Sequence, residues 1–177
     1  MKKEENILAL RAQFQLSGGK ITHIAVVPSS KEGIQITLAG ETTGDKEVVS
    51  LIEKWVAAYV QRKPCAIELP LACPSLPVFS LSVLKGLQQI PLGEKISYGQ
   101  LAVEMGCPQG ARAIGNACGR NPFLLVVPCH RVIGAQGNLG GFTAGISIKK
   151  QLLAHEGIVI TPPPYAKLLV NTRIFCE

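Results

Sequence analysis

The sequence predicts an α/β N-terminal domain of short antiparallel strands plus a helix, followed by a mostly α C-terminal domain that contains a helix-turn-helix. Three observations predict it. Strand-like apolar runs broken by turn residues occupy residues 6–40. A helical apolar stripe runs from about Lys46 to Arg62. Beyond a proline-rich break, two short helical patterns meet at Gly106-Cys107-Pro108, a tight joint that fits a helix-turn-helix. The parts divide as residues 1–73, residues 74–157 and a C-terminal extension, residues 158–177.

In the first part, Ile7-Leu8-Ala9-Leu10, Ile21 to Val27 and Ile34 to Leu38 are strand-like, and Ser17-Gly18-Gly19 supplies a hairpin turn. Gly44-Asp45 opens the helix, whose Val48, Ile52, Trp55, Val56 and Tyr59 recur along one face. That stripe assigns Trp55 and Tyr59 to core packing rather than to stacking on a base. Lys63-Pro64 stops the helix, and Ile67 to Leu71 reads as a further strand. Nothing in this half carries catalytic chemistry; a small scaffold is all it supports.

Pro70 to Pro77 holds three prolines and reads as a linker. A helix from about Val78 to Gln89 opens the second part, and Pro91-Leu92-Gly93-Glu94 turns the chain. Ser97 can cap a short helix that runs to about Met105. The next helix, from about Gln109 to Cys118, is nearly bare, with Gly110, Ala111, Ala113, Gly115 and Ala117. Such a helix either packs tightly on a neighbour or presses into a narrow groove with Arg112 as its long cationic arm. Gly134 to Gly145 carries five glycines with Phe142 and Thr143. It is a flexible loop, or a place where backbone amides approach a planar ligand closely. Ser147 to Glu156 reads as a final helix with Ile148, Leu152 and Leu153 inward, and Gly157 as its stop.

Charge separates the parts. Residues 1–84 carry nine Lys/Arg against eight Asp/Glu, whereas residues 85–150 carry seven against two. The excess positive charge therefore lies in the second part, as a solvated basic face or a surface for a polyanion. The six cysteines show no C-x-x-C pair and no finger spacing, so a metal site is not expected. No apolar run approaches membrane-spanning length. The polar N-terminus lacks a signal-peptide core, and the free thiols suit a reducing cytoplasm.

The chemistry concentrates at Val126-Val127-Pro128-Cys129-His130-Arg131. An apolar run, read as a buried strand or core segment, delivers a thiol, an imidazole and a guanidinium on consecutive residues. Pro128 fixes its own φ and restricts Val127, a stiffness suited to aiming a nucleophile. A cysteine among apolar residues is usually a small buried hydrophobe; the adjacent His130 and Arg131 and the glycine-rich loop argue otherwise. A hydrogen-bonded imidazole lowers the cost of forming a thiolate. In an extended chain Cys129 and His130 would face opposite sides, so their contact needs a turn or an intervening water. Glu156, at a helix end where negative charge is disfavoured, is a solvated surface carboxylate or one held there to orient His130.

Pro128-Cys129-His130-Arg131-Val132 resembles the active-site signature of the O6-alkylguanine-DNA alkyltransferases, the methylated-DNA–protein-cysteine methyltransferases, and the resemblance extends from about Phe79 to Gly157 in family order and spacing. It implies a winged-helix-like second domain and a single-turnover, cofactor-free transfer of the alkyl group from O6-alkylguanine in DNA, or O4-alkylthymine, to Cys129. Double-stranded DNA would bind a monomer through its minor groove, with the target nucleotide flipped out. By the same resemblance Cys129, His130, Glu156 and Tyr98 are catalytic, and Arg112, Tyr98, Ala111 and Gly115 bind DNA. Asn121, Arg131, Val132, Phe142 and Thr143 would serve the substrate pocket, while His155 reads as structural.

Two other function classes stay open on sequence. A Cys-dependent hydrolase could use Cys129, His130 and Glu156, although the helix-turn-helix and clustered positive charge argue against it. A non-catalytic DNA-binding sensor or regulator would keep the DNA-binding features without the reaction. The sequence departs from the family pattern at Leu84, where a tryptophan is common, and at Ala144, where a glycine is common and which bears on adduct size. The extension with Pro162-Pro163-Pro164 passes the family's usual end and favours an extended chain.

Overall fold

The computed structural model describes residues 8–40 and 45–160. Ile7, Gly44, Cys176 and the proline tract from Thr161 to Tyr165, each read above from sequence, lie outside the described residues.

Strands β1 (Ala9–Ser17), β2 (Lys20–Pro28) and β3 (Gly33–Gly40) form a sheet in the order β2-β1-β3. β1 and β2 make the expected antiparallel hairpin across Gly18 and Gly19, both at positive φ. β3 instead pairs parallel to β1, so the expectation of an all-antiparallel sheet is corrected to a mixed one. β2 ends beside Leu10, and the short connection crosses the start of β1 to set Gly33 opposite Ala9. β3 then has to run in the direction of β1. Leu10, Ala12, Phe14 and Leu16 alternate inward on central β1. Helix α1 (Lys46–Val60) buries Val48, Ile52, Val56 and Tyr59. Residues 67–71 are not the expected strand: they make one bridge, Ile21 to Leu71, with the Ile21 N–H donating to the Pro70 carbonyl at 2.8 Å. Pro70 has no N–H to extend a ladder.

In the second part come α2 (Val78–Gln88), β4 (Ile96–Ser97), α3 (Tyr98–Glu104), α4 (Ala111–Gly119), β5 (Val132–Ile133) and α5 (Ile146–His155). α3 starts on a capping box: the Ser97 hydroxyl accepts from the Gln100 N–H at 3.1 Å, and the Gln100 side-chain oxygen accepts from the Ser97 N–H at 3.0 Å. α4 packs on α2 and α3 through Ile114, Ala117 and Cys118, leaving Arg112 exposed. β5 runs parallel to β4.

The apolar run before the thiol is core but not strand. Leu125 sits at φ 76°, and the Val127 N–H closes a turn onto the Phe123 carbonyl at 2.9 Å. The sheet holds this turn at one bridge only. The Ile24 N–H donates to the Pro122 carbonyl at 2.7 Å, and the Leu124 N–H donates to the Ile24 carbonyl at 3.3 Å. One core joins the two parts, with Phe14, Ile24 and Ile52 continuous with Leu87, Ile114 and Leu152. The first part therefore braces the segment that carries the thiol.

Candidate active site

Cys129, His130 and Arg131 lie in a single 3-10 turn rather than an extended chain, and all three are buried. This turn sends the three side chains to different partners. Cys129 is 3% exposed, and it faces a cavity of about 720 Å³ that Tyr98, Arg112, Cys118 and Phe142 also line. From behind, the Asn121 amide nitrogen donates to the sulfur at 3.2 Å and to the Val127 carbonyl at 2.9 Å. The amide oxygen accepts from the Phe123 N–H at 2.9 Å, so all of this side chain is committed to holding the loop. Burial pushes the Cys129 thiol up, while the Asn121 hydrogen bond and the Lys149 cation pull it back toward ionisation.

His130 is fully buried. Its Nε2 lies 2.7 Å from Glu156 Oε1. Burial pushes the imidazole down in spite of Glu156, so it is neutral near pH 7. For Glu156, burial alone would raise the carboxyl, but hydrogen bonds from His130 and then Arg131 hold it at about 2. A carboxylate can only accept, so Nε2 carries the proton and Nδ1 is left as a lone pair. Nδ1 is buried and has no hydrogen-bond partner among the described residues. Of the two ring nitrogens, it is the one able to accept a proton.

Arg131 donates from Nε to Glu156 Oε2 at 2.7 Å, from Nη2 to Oε1 at 3.0 Å, and from Nη1 to the Ile90 carbonyl at 2.7 Å. Neither Arg131 nor Val132 lines the cavity. The Arg131 fork is spent on the carboxylate, and Val132 is sealed in β5 at 0% exposure. Asn121 touches the sulfur without lining the cavity. Phe142 and Thr143 do line it, with the Phe142 ring edge-on to His130 at 6.4 Å. Tyr98, Ala111, Arg112 and Gly115 gather on the same cavity. Gly140, at φ 64°, lets the loop close on Tyr98; a Cβ there would lie 3.2 Å from the ring.

Two residues escaped the sequence reading. Lys149 is fully buried, and its ammonium donates to the Val132 carbonyl at 2.7 Å and to that of Leu139. It also sits 5.9 Å from the Tyr98 ring centroid. Burial lowers it to about 8, while the Cys129 and Cys118 thiols favour its charge. Its signal was available: Lys149, Leu152, Leu153 and Glu156 share one helix face by spacing. Tyr59, from the first part, donates its hydroxyl to Glu156 Oε1 at 2.8 Å. Burial, then the Cys118 and Cys129 thiols, raises the Tyr98 phenol to about 12, so it remains a proton donor at neutral pH.

The family model described as "6-O-methylguanine DNA methyltransferase, DNA binding domain" matches residues 78–158. The methylated-DNA–protein-cysteine methyltransferase of Mycobacterium leprae is 37% identical over 139 residues, 78% of this chain and 81% of that one. That of Shigella flexneri is 48% identical over 92 residues, 52% of this chain, and the match spans about half of the relative's length, 53%. Among solved structures, Mycobacterium tuberculosis OGT in complex with DNA superposes with a TM-score of 0.63 at 30% identity, covering 85% of this chain and 93% of that one.

The depressed Glu156 carboxyl stabilises the fold fully above its unfolded value of 4.5, and that contribution is lost as pH falls toward its folded value of about 2. Chemical denaturation is expected to show Glu156→Gln less stable by about 3 kcal/mol at pH 7. The gap between variant and wild type is expected to close between those two pH values; a gap that does not change with pH would refute the assignment.

Proposed function

This chain belongs to the methylated-DNA–protein-cysteine methyltransferase family, and from that premise we propose that it repairs DNA by moving the alkyl group of O6-alkylguanine, or O4-alkylthymine, permanently onto Cys129. The observation that carries the proposal is a single cavity in which the Cys129 sulfur and the small-residue, Arg112-bearing helix α4 meet. At about 720 Å³ it lies within the usual range for a small-molecule site and is large enough for a nucleobase.

In the proposed reaction the Cys129 sulfur attacks the O6-alkyl carbon in line. The S–C bond forms, the C–O bond breaks, and the electron pair leaves on the guanine oxygen. His130 Nδ1 takes the thiol proton through one water, held by the Nε2–Glu156 hydrogen bond. Tyr98, still protonated at neutral pH, supplies a proton to the departing guanine. Lys149 adds positive charge beside both the thiol and the phenol. The product is a thioether with no acceptor to reverse it, so each molecule acts once, without a cofactor.

Reaching the O6 group requires the nucleotide to leave the stack, at a cost of a few kcal/mol. α4 supports this step: Ala111 and Gly115 keep it slim enough for the minor groove, and Arg112 fills the vacated stack. Phosphate contacts from the basic second part offset the cost. In this reading residues 74–157 form a winged-helix-like DNA-binding and reaction domain on a scaffold of residues 1–73, with residues 158–177 as an appendage. The protein works as a monomer on double-stranded DNA in the cytoplasm. Among the described residues no helix is long and apolar enough to cross a membrane.

Intact-mass measurement after mixing with an O6-methylguanine duplex is expected to show one added methyl per protein, on Cys129, and none for Cys129→Ser. Repeated turnover, or DNA binding with no mass gain, would overturn the proposal. Arg112→Ala is expected to slow transfer from duplex DNA by tenfold or more, an effect of about 1.4 kcal/mol or greater, and to leave transfer from a free O6-alkylguanine base nearly unchanged. Equal losses on both substrates would remove Arg112 from the flipping step.

A further inference from the structure

We infer that Tyr59 is a positioning residue for this reaction: its hydroxyl, acting through Glu156, sets the proton affinity of His130. The inference rests on the proposed reaction and extends it into the half of the chain where sequence shows no catalytic residue.

The geometry is specific. The Tyr59 hydroxyl donates to Glu156 Oε1 at 2.8 Å, the same oxygen that accepts from His130 Nε2 at 2.7 Å. The tyrosine is 4% exposed. Its ring is stacked on Trp55, with centroids 5.6 Å apart and planes 6° apart, and packs on His155 at 5.2 Å. The His155 ring nitrogen lies 3.0 Å from the Tyr59 carbonyl, which fixes the end of α1 against the end of α5. The hydroxyl is therefore aimed by three separate contacts.

A buried tyrosine hydroxyl needs some partner, and satisfying that need is the simplest role for this bond. Two features exceed it. Arg131 already neutralises the carboxylate through Nε and Nη2, so Tyr59 is not needed to balance the charge. Its bond also falls on the oxygen that holds the base. Each donor to Oε1 draws charge from that oxygen and weakens its pull on the imidazole N–H. Removing the hydroxyl makes Oε1 a stronger acceptor, stabilises imidazolium, and leaves a smaller fraction of His130 in the neutral form that can accept a proton at a given pH. Among the described residues, the other charged groups acting on this pair are Arg131 on the same turn and Lys149 on α5, and His155 packs on the Tyr59 ring. Arg62 acts on Tyr59 from the end of α1. All are unchanged in Tyr59→Phe.

The test compares the pH dependence of two reactions of Cys129. One is single-turnover methyl transfer from an O6-methylguanine duplex. The other is carboxamidomethylation by iodoacetamide, followed on the Cys129 peptide, which needs no DNA. Tyr59→Phe is expected to move the acid limb of both profiles up by about one pH unit, the size of one charged hydrogen bond. The alkaline plateau and the half-saturating DNA concentration are expected to stay within twofold. In a Glu156→Gln background the same substitution is expected to give no shift. Trp55→Phe loosens the ring without removing the hydroxyl, and is expected to lower Tm with the acid limb in place. An unmoved acid limb in Tyr59→Phe, an equal shift with and without Glu156, or a shift in Trp55→Phe would each overturn the inference. A wild-type protein that fails to accept methyl while its iodoacetamide profile still shifts would sink the proposed reaction and leave the Tyr59–Glu156–His130 coupling standing.

Discussion

The structure depends on one buried carboxylate. Glu156 Oε1 accepts from Tyr59, His130 and Arg131, and Oε2 accepts from Arg131 Nε. These donors come from the end of α1 and from the 3-10 turn, while the acceptor ends α5, so one residue ties three distant segments. An unpaired charge in that place would be strongly destabilising. The pairing removes the penalty and, as a consequence, fixes the imidazole tautomer. The helix dipole disfavours an acidic group at the end of α5, and the guanidinium of Arg131 outweighs it at hydrogen-bonding distance.

On the cavity side the balance is different. The thiol is pushed toward its neutral form by burial, and the Asn121 amide, the Lys149 ammonium and its own backbone N–H oppose this. The resting sulfur is therefore held toward its neutral form. Because Lys149 holds two backbone carbonyls with its ammonium, its charge is anchored near the sulfur rather than free to turn to solvent. α4 adds the other requirement: a wall of Ala111 and Gly115 beside the sulfur occupies little space, which leaves the cavity open.

Much of this was legible in the sequence, for identifiable reasons. The helix bounds follow from apolar periodicity and from Ser97, Gly106 and Gly157, whose local chemistry acts over a few residues. Cys129, His130 and Arg131 were visible because polar residues end an apolar run, whereas Glu156 was joined to them by the family resemblance. What was missed depends on tertiary context. The direction of β3 is set by a loop crossing the start of β1, which no local pattern encodes. Residues 123–127 carry strand-like side chains but find only one bridge on β2. The resemblance assigns Arg131 to the pocket, yet a 3-10 turn sends consecutive side chains apart and its guanidinium goes to Glu156. Tyr59 looked like core because it is core; its hydroxyl gains a second role only where α1 meets α5.

The central claim is that Glu156 fixes His130 as a neutral base whose Nδ1 lone pair is the one free to receive a proton. Nitrogen NMR of the His130 ring in the free protein at neutral pH tests it directly. A protonated Nε2 and an unprotonated Nδ1 are expected. An imidazolium, or a neutral ring with its proton on Nδ1, would contradict it.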